Sequence, residues 1–142
     1  MNATTTSNLN SEQFNTIGAD YLPGFLGIHI LSVSPGEVHA ELPVRSQLLA
    51  PNGYLHAGAV VTLADTACGY GTMASLPEGA QSFTTIELKS NHLGTARQGT
   101  IQVSAKLLHG GRSTQVWDAL VSHEGKTIAV FRCTQMILYP RS

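Results

Sequence analysis

The stretch Ala50-Pro-Asn-Gly-Tyr-Leu-His-Ala-Gly-Ala-Val-Val-Thr-Leu-Ala-Asp-Thr-Ala-Cys-Gly-Tyr-Gly-Thr-Met73 decides how the rest of the chain reads. It opens on turn chemistry: Pro51 presets φ, and Asn52 and Gly53 tolerate positive φ. From residue 57 to residue 76 the sequence reads as one long helix whose only ionised side chain is Asp65. A helix apolar on most sides is expected to be buried. At 1.5 Å per residue it would span about 30 Å, the width of a small domain. The rest of the chain is therefore expected to wrap around it.

The flanks supply the wrapping. Residues 1–10 are polar, lack the apolar core of a signal peptide, and are expected to be disordered. Ser11 is placed to cap a short helix, with Glu12 at its positive end, Phe14 and Ile17 on one side, and Gly18, Pro23 and Gly24 ending it. Residues 25–33 read as a strand, followed by a turn at Ser34-Pro35-Gly36-Glu37. Val38, Ala40 and Leu42 then alternate with His39 and Glu41, the pattern of a strand with one wet face, which Pro43 ends. After the long helix and a turn at Pro77-Glu78-Gly79, residues 82–92 read as a strand and residues 94–99 as a loop. Residues 100–109 and 113–123 are strands joined at Gly110-Gly111, a strong hairpin signal, and residues 126–139 form the last strand after Glu124-Gly125. Strands around one helix, without βαβ alternation, give an α+β antiparallel domain over residues 11–142.

Composition narrows the function classes. Of 142 residues, 42% are hydrophobic and only 12% charged, a surplus of apolar surface that suggests burial in an oligomer. A net charge of −1 gives no footprint for nucleic acid. No apolar run reaches membrane-spanning length. Cys68 and Cys133 are read as small hydrophobes rather than a bridge, which fits a reducing cytoplasm. The six histidines show no metal-ligand spacing, so no metal is expected. No Gly-x-Ser-x-Gly elbow, P-loop or dinucleotide glycine pattern occurs, and Gly69 and Gly71 fall inside the helix as close-packing positions.

Asp65 is the residue that needs a reason. A buried carboxylate is paired, neutralised or used. His56 precedes the helix and Asp65 follows nine positions later, which at about 100° per residue puts them on opposite faces. One subunit would not bring them together easily. Two subunits with antiparallel central helices would, each lending its Asp65 to the other's His56-Ala57-Gly58 turn.

His56-Ala57-Gly58 followed by Leu63-Ala64-Asp65 resembles the His-Gly-Gly…Leu-x-Asp/Glu signature of hotdog-fold acyl-CoA thioesterases, most nearly the branch named for phenylacetate degradation. The resemblance runs over residues 24–139. It implies a curved antiparallel sheet around one long helix, a homodimer or dimer of dimers, an acyl-CoA or related thioester substrate, and no cofactor beyond the coenzyme A of the substrate. It also implies roles. The backbone N–H of Ala57, with Gly58 behind it, would polarise the thioester oxygen at the positive end of the helix. Asp65 of the other subunit would attack the carbonyl or activate a water. His56 is read as orienting the turn or the substrate rather than as the base. Thr85, with Thr84 as a register alternative, would help hold the water, and Arg97 and Arg112 are candidates for the CoA phosphates. One position departs from the pattern: where such enzymes carry Asn or Gln six residues before the His, this chain has Ala50, and Asn52 would substitute only in a differently shaped loop. That departure keeps open a second class, a hotdog domain that binds an acyl ligand without rapid turnover.

Overall fold

The computed structural model describes residues 9–141. The disorder expected at the N-terminus lies, for residues 1–8, outside the described residues. Asn10 is ordered and caps helix α1 (Ser11–Gly18): its side chain accepts from Gln13 N–H, and the Gln13 side chain accepts from Asn10 N–H. The cap is thus Asn10, one residue before the expected Ser11, because a Gln three positions on completes a capping box only from there. Phe14 is buried and stacks on Tyr70 at 4.6 Å, whereas Ile17 faces solvent.

The expected strand at residues 25–33 is corrected at its start. Leu22–Leu26 is a short helix, α2, with Pro23 in its first turn, and strand β1 begins only at His29 (His29–Ser34). Gly27 ends α2 at φ 91°, a left-handed conformation that a residue with a Cβ rarely adopts, and its N–H reaches back to the carbonyls of Pro23 and Gly24. The Arg45 guanidinium donates to the carbonyls of Phe25 and Leu26, occupying acceptors at that helix end.

The remaining strands are β2 (Glu37–Pro43), β3 (Ser82–His92), β4 (Thr100–Gly110), β5 (Thr114–His123) and β6 (Lys126–Leu138). They form one antiparallel sheet in the order β1-β2-β4-β5-β6-β3. Alternation decides which face is dry. Val38, Ala40 and Leu42 of β2, Ile101, Val103 and Ala105 of β4, and Trp117, Ala119 and Val121 of β5 all point inward and are buried.

That inner face curves around helix α3 (Ala57–Ala74). Ala59, Val60, Leu63, Ala64, Ala67 and Cys68 form its buried side. Gly71 lets the helix close onto the sheet: a Cβ there would lie 2.4 Å from the Trp117 ring. The helix is not buried all round. Val61, Thr62, Asp65, Thr66, Gly69 and Tyr70 remain partly exposed, because the sheet of a single chain embraces only one side of the cylinder. Strand β3 lies at the sheet edge and is exposed along most of its length, Ile86 and Leu88 included.

Candidate active site

His56 is the N-cap of α3 at φ −65°, ψ 131°. Its ring folds back over the helix end, and Nδ1 accepts from Gly58 N–H at 2.8 Å. The neutral ring therefore carries its proton on Nε2, facing outward. Gly58 makes this fold-back possible, since a Cβ there would stand 2.9 Å from Nδ1. Two consequences follow for the helix start. Gly58 N–H is already spent on His56 and is not a free oxyanion donor. Ala57 N–H has no acceptor among the described residues and lies exposed at the positive end of the helix.

Asp65 lies two turns further along α3. Its Oδ1 is buried with no hydrogen-bond partner, and burial holds the carboxyl above the usual carboxylate range. The cap geometry, not the helical phase expected from the sequence, separates Asp65 from His56. His56 does not project radially from the helix, so helical phase does not apply to it, and Gly58, seven residues before Asp65, shares the face of Asp65. The separation is axial instead: eight residues from Ala57 to Asp65 amount to about 12 Å. A reacting carbonyl needs its partners within about 3–3.5 Å, so one chain does not bring the two groups onto it.

Thr85 points to the inner face and donates to Gln135 Oε1 at 2.7 Å. Thr84 is opposite Met136 on the outer face, so the register selects Thr85 as the inward residue. Phe83, one pleat earlier, meets Gly69, where a Cβ would lie 3.3 Å from its ring. Gly69 is one turn beyond Asp65, so the Phe83 contact sets the β3 segment that carries Thr85 beside this part of α3.

The other expected site residues are dispersed. Asn52 sits at the exposed tip of the loop, its Oδ1 accepting from Tyr54 N–H, which turns its carboxamide into the loop's own turn. Ala50 lies at the base of that loop, its backbone bonded to Tyr54 O and Gly53 N. Arg97 stacks its guanidinium 4.4 Å over the Tyr54 ring, at the His56 end of the domain. Arg112 is at the β4–β5 hairpin, over the Tyr139 ring at 5.1 Å. That hairpin lies at the other end of the helix, where Gln115 donates to Ser75 O, so a single chain does not unite Arg97 with Arg112.

Sequence reasoning missed two contributors. A cleft of about 240 Å³ opens beside His56, walled by Leu22 and Leu26 of α2 and by Gln47, Leu49 and Thr62. Reading α2 as a strand hid that wall. Gln135 is fully buried, yet its Nε2 has no partner. Its signal was available: a Gln in the inward phase of Phe131, Cys133 and Ile137. Among the described residues no three His, Cys, Asp or Glu side chains gather as a metal site, and no helix is long and apolar enough to cross a membrane. Cys68 and Cys133 are free thiols, and their mutual hydrogen bond, with burial, pushes the Cys68 thiol well up.

A six-stranded antiparallel sheet curved around one long helix, with an unpaired helix start and a buried acid, defines a hotdog domain. The chain belongs to the thioesterase superfamily, whose sequence pattern matches residues 52–134. A second pattern, a domain of unknown function, matches residues 11–87. The chain is 36% identical to a 1,4-dihydroxy-2-naphthoyl-CoA hydrolase of Listeria monocytogenes, over 77% of this chain and 89% of that one. A mutant thioesterase of Pseudomonas aeruginosa superposes with a TM-score of 0.88 at 29% identity, covering 94% of this chain and 96% of that chain. A mutant of the phenylacetic acid degradation protein of Thermus thermophilus superposes with a TM-score of 0.76 at 25% identity, covering 82% and 97%.

Proposed function

We propose that the protein hydrolyses an acyl-CoA to the free acid and coenzyme A, at a site shared between two subunits. One subunit supplies the start of α3, where Ala57 N–H receives the developing oxyanion and His56 Nε2–H orients the thioester. The other supplies Asp65. The observation that carries this reading is the pair of unpaired groups on one helix: a free N–H at its positive end and, about 12 Å along, a partly buried carboxylate whose Oδ1 has no partner. The carboxylate, partly withdrawn from water without a partner, is costly for folding alone, and both groups are useful for acyl transfer. The dimer is supported by β3, an eleven-residue edge strand with exposed Ile86 and Leu88, a ready template for a second copy. Two such dimers would pair into a tetramer. No cofactor is required, since coenzyme A arrives with the substrate, and Arg97 beside the loop is the phosphate contact this reading favours. The free thiols agree with a cytoplasmic location.

A panel of aryl, short-chain and medium-chain acyl-CoA thioesters, including 1,4-dihydroxy-2-naphthoyl-CoA, tests the reading by thiol release. At least one member is expected to be hydrolysed far above its uncatalysed rate. Tight binding with no thiol release across the panel would replace hydrolysis with acyl-ligand binding, the role that the alanine at position 50 makes chemically reasonable.

A further inference from the structure

Three buried polar side-chain atoms among the described residues lack a hydrogen-bond partner: Asp65 Oδ1, Ser90 Oγ and Gln135 Nε2. The first and last are an acceptor and a donor, and the strand neighbours of Gln135 meet α3 one turn beyond Asp65. On the inner face of β6, Gln135 follows Cys133 by one pleat, and Cys133 is close enough to Cys68 of α3 to push its thiol up. On β3, Thr85 pairs with Gln135, and Phe83, one pleat away, rests on Gly69. Cys68 and Gly69 lie three and four residues beyond Asp65, on its side of the helix. The Thr85–Gln135 pair is therefore bracketed by contacts to the turn of α3 that follows Asp65.

The orientation of the amide is fixed. Thr85 Oγ1 donates to Gln135 Oε1, which leaves the NH₂ group as the free end. Neighbouring Gln115 differs: its Nε2 donates to Ser75 O and its Oε1 accepts from Trp117 Nε1, so it is fully used in the fold. Gln135 has half its capacity unused although its side chain is fully buried, which is costly unless something is received there.

We infer that Gln135, locked by Thr85, is a positioning residue that holds the hydrolytic water against Asp65. A buried donor and a buried acceptor that do not bond each other are bridged by a group that both accepts and donates. Water does both, whereas a thioester carbonyl only accepts. The water accepts from Gln135 N–H and donates to Asp65 Oδ1, and its remaining lone pair is free for the substrate. Asp65 takes the water proton as the oxygen bonds to the acyl carbon, the C–S bond then breaks, and the thiolate leaves with that proton as the thiol. An amide thus stands at the water from the sheet side, where position 50 offers none from the loop side. This inference rests on the proposed thioesterase site.

The inner sheet face brings no charged side chain to Asp65. Lys106, Asp118 and Arg132 lie in the outward phase, as do Glu87 and Lys89, which pair with Thr134 and Arg132. The titratable neighbours are the thiols of Cys68 and Cys133 and, in the dimer, the second copy's His56.

The test uses the full chain with Gln135→Met, similar in size but without a donor, and Thr85→Val, which keeps the amide and frees it to rotate. Gln135→Met is expected to lower kcat for hydrolysis about 100-fold with little change in KM, and Thr85→Val about 10-fold. Hydroxylamine, a stronger nucleophile than water, is expected to recover most of the lost thiol release as hydroxamate. A merely structural defect would depress both nucleophiles alike, and that result, or unchanged hydrolysis, overturns the inference. A readout independent of activity uses Gln135→Glu. Two carboxyls sharing one water are expected to couple, so Asp65, assigned by carbon NMR against Asp65→Asn, titrates in two steps more than about one unit apart. A single unperturbed step overturns the inference even if the protein hydrolyses no thioester, whereas absence of hydrolysis with coupling intact overturns only the proposed function.

Discussion

If each site draws Asp65 from one subunit and the start of α3 from the other, two inactive variants will complement one another. The first is Asp65→Asn, which keeps the shape and removes the base, at a cost of about 10²–10⁴ in turnover. The second is Ala57→Pro. Ala57 is the first residue of α3, where proline's fixed φ suits the helix, and His56 at ψ 131° already has the extended backbone that precedes proline. Its N–H has no partner to lose, so the substitution removes one oxyanion donor and leaves the helix in place, at about 10²–10³ in kcat. Each homodimer should thus retain about 1% of activity or less. After equal amounts are unfolded and refolded together, about half the dimers are mixed. In a mixed dimer one site collects both defects and the other neither, so the mixture should reach about a quarter of the unmutated activity, a rise of 25-fold or more over either parent. Thiol release measures the activity, and size-exclusion chromatography of each variant refolded alone supplies the control. If both refold as dimers and mixing restores nothing, the site lies within one chain and the 12 Å axial separation has been misread.

Three further outcomes are expected. Burial raises the Asp65 carboxyl, so the folded state holds that proton more tightly than the unfolded chain; its stabilisation is present below the ordinary value near ~3.9 and is lost as pH rises through the folded value. Asp65→Asn should therefore raise Tm at pH 7 by a few degrees, with the gain shrinking toward pH 4, and a lower Tm at pH 7 would mean the carboxylate is paired. Gly71→Ala forces a Cβ to within 2.4 Å of the buried Trp117 ring and should cost about 1–3 kcal/mol in denaturant unfolding; a change below about 0.5 kcal/mol would show that α3 shifts freely on the sheet. Arg45→Met releases the carbonyls of Phe25 and Leu26 and loosens the α2 wall of the cleft. It should raise KM about 3–10-fold with kcat nearly unchanged, whereas an equal fall in kcat would place α2 in the chemistry.

The sequence by itself determined the frame and the acid. Strand alternation in residues 38–42, the Gly110-Gly111 hairpin and the uncharged run around Asp65 each report a local periodicity, and local periodicity follows from backbone geometry that neighbours in sequence share. The same run placed Asp65 on the helix and made its burial a question, whereas Thr85 and Thr84 stayed register alternatives until the β3–β6 pairing turned Thr85 inward. Tertiary structure decided what no periodicity records. Phe25 and Leu26 look like strand residues, but Pro23 and a left-handed Gly27 make α2, and the cleft wall depends on it. His56 looks like a residue on the far side of a helix, but its ring turns over the helix end because Gly58 leaves room, converting an angular separation into an axial one. Gln115 and Gln135 are the same residue in the same inward phase, paired across the β5–β6 ladder. Only three-dimensional contacts distinguish them: Ser75 and Trp117 satisfy the first, while the second keeps a buried N–H without a partner. Hydrogen-bond satisfaction is a property of what lies opposite, and what lies opposite is set by the closure of the sheet around the helix.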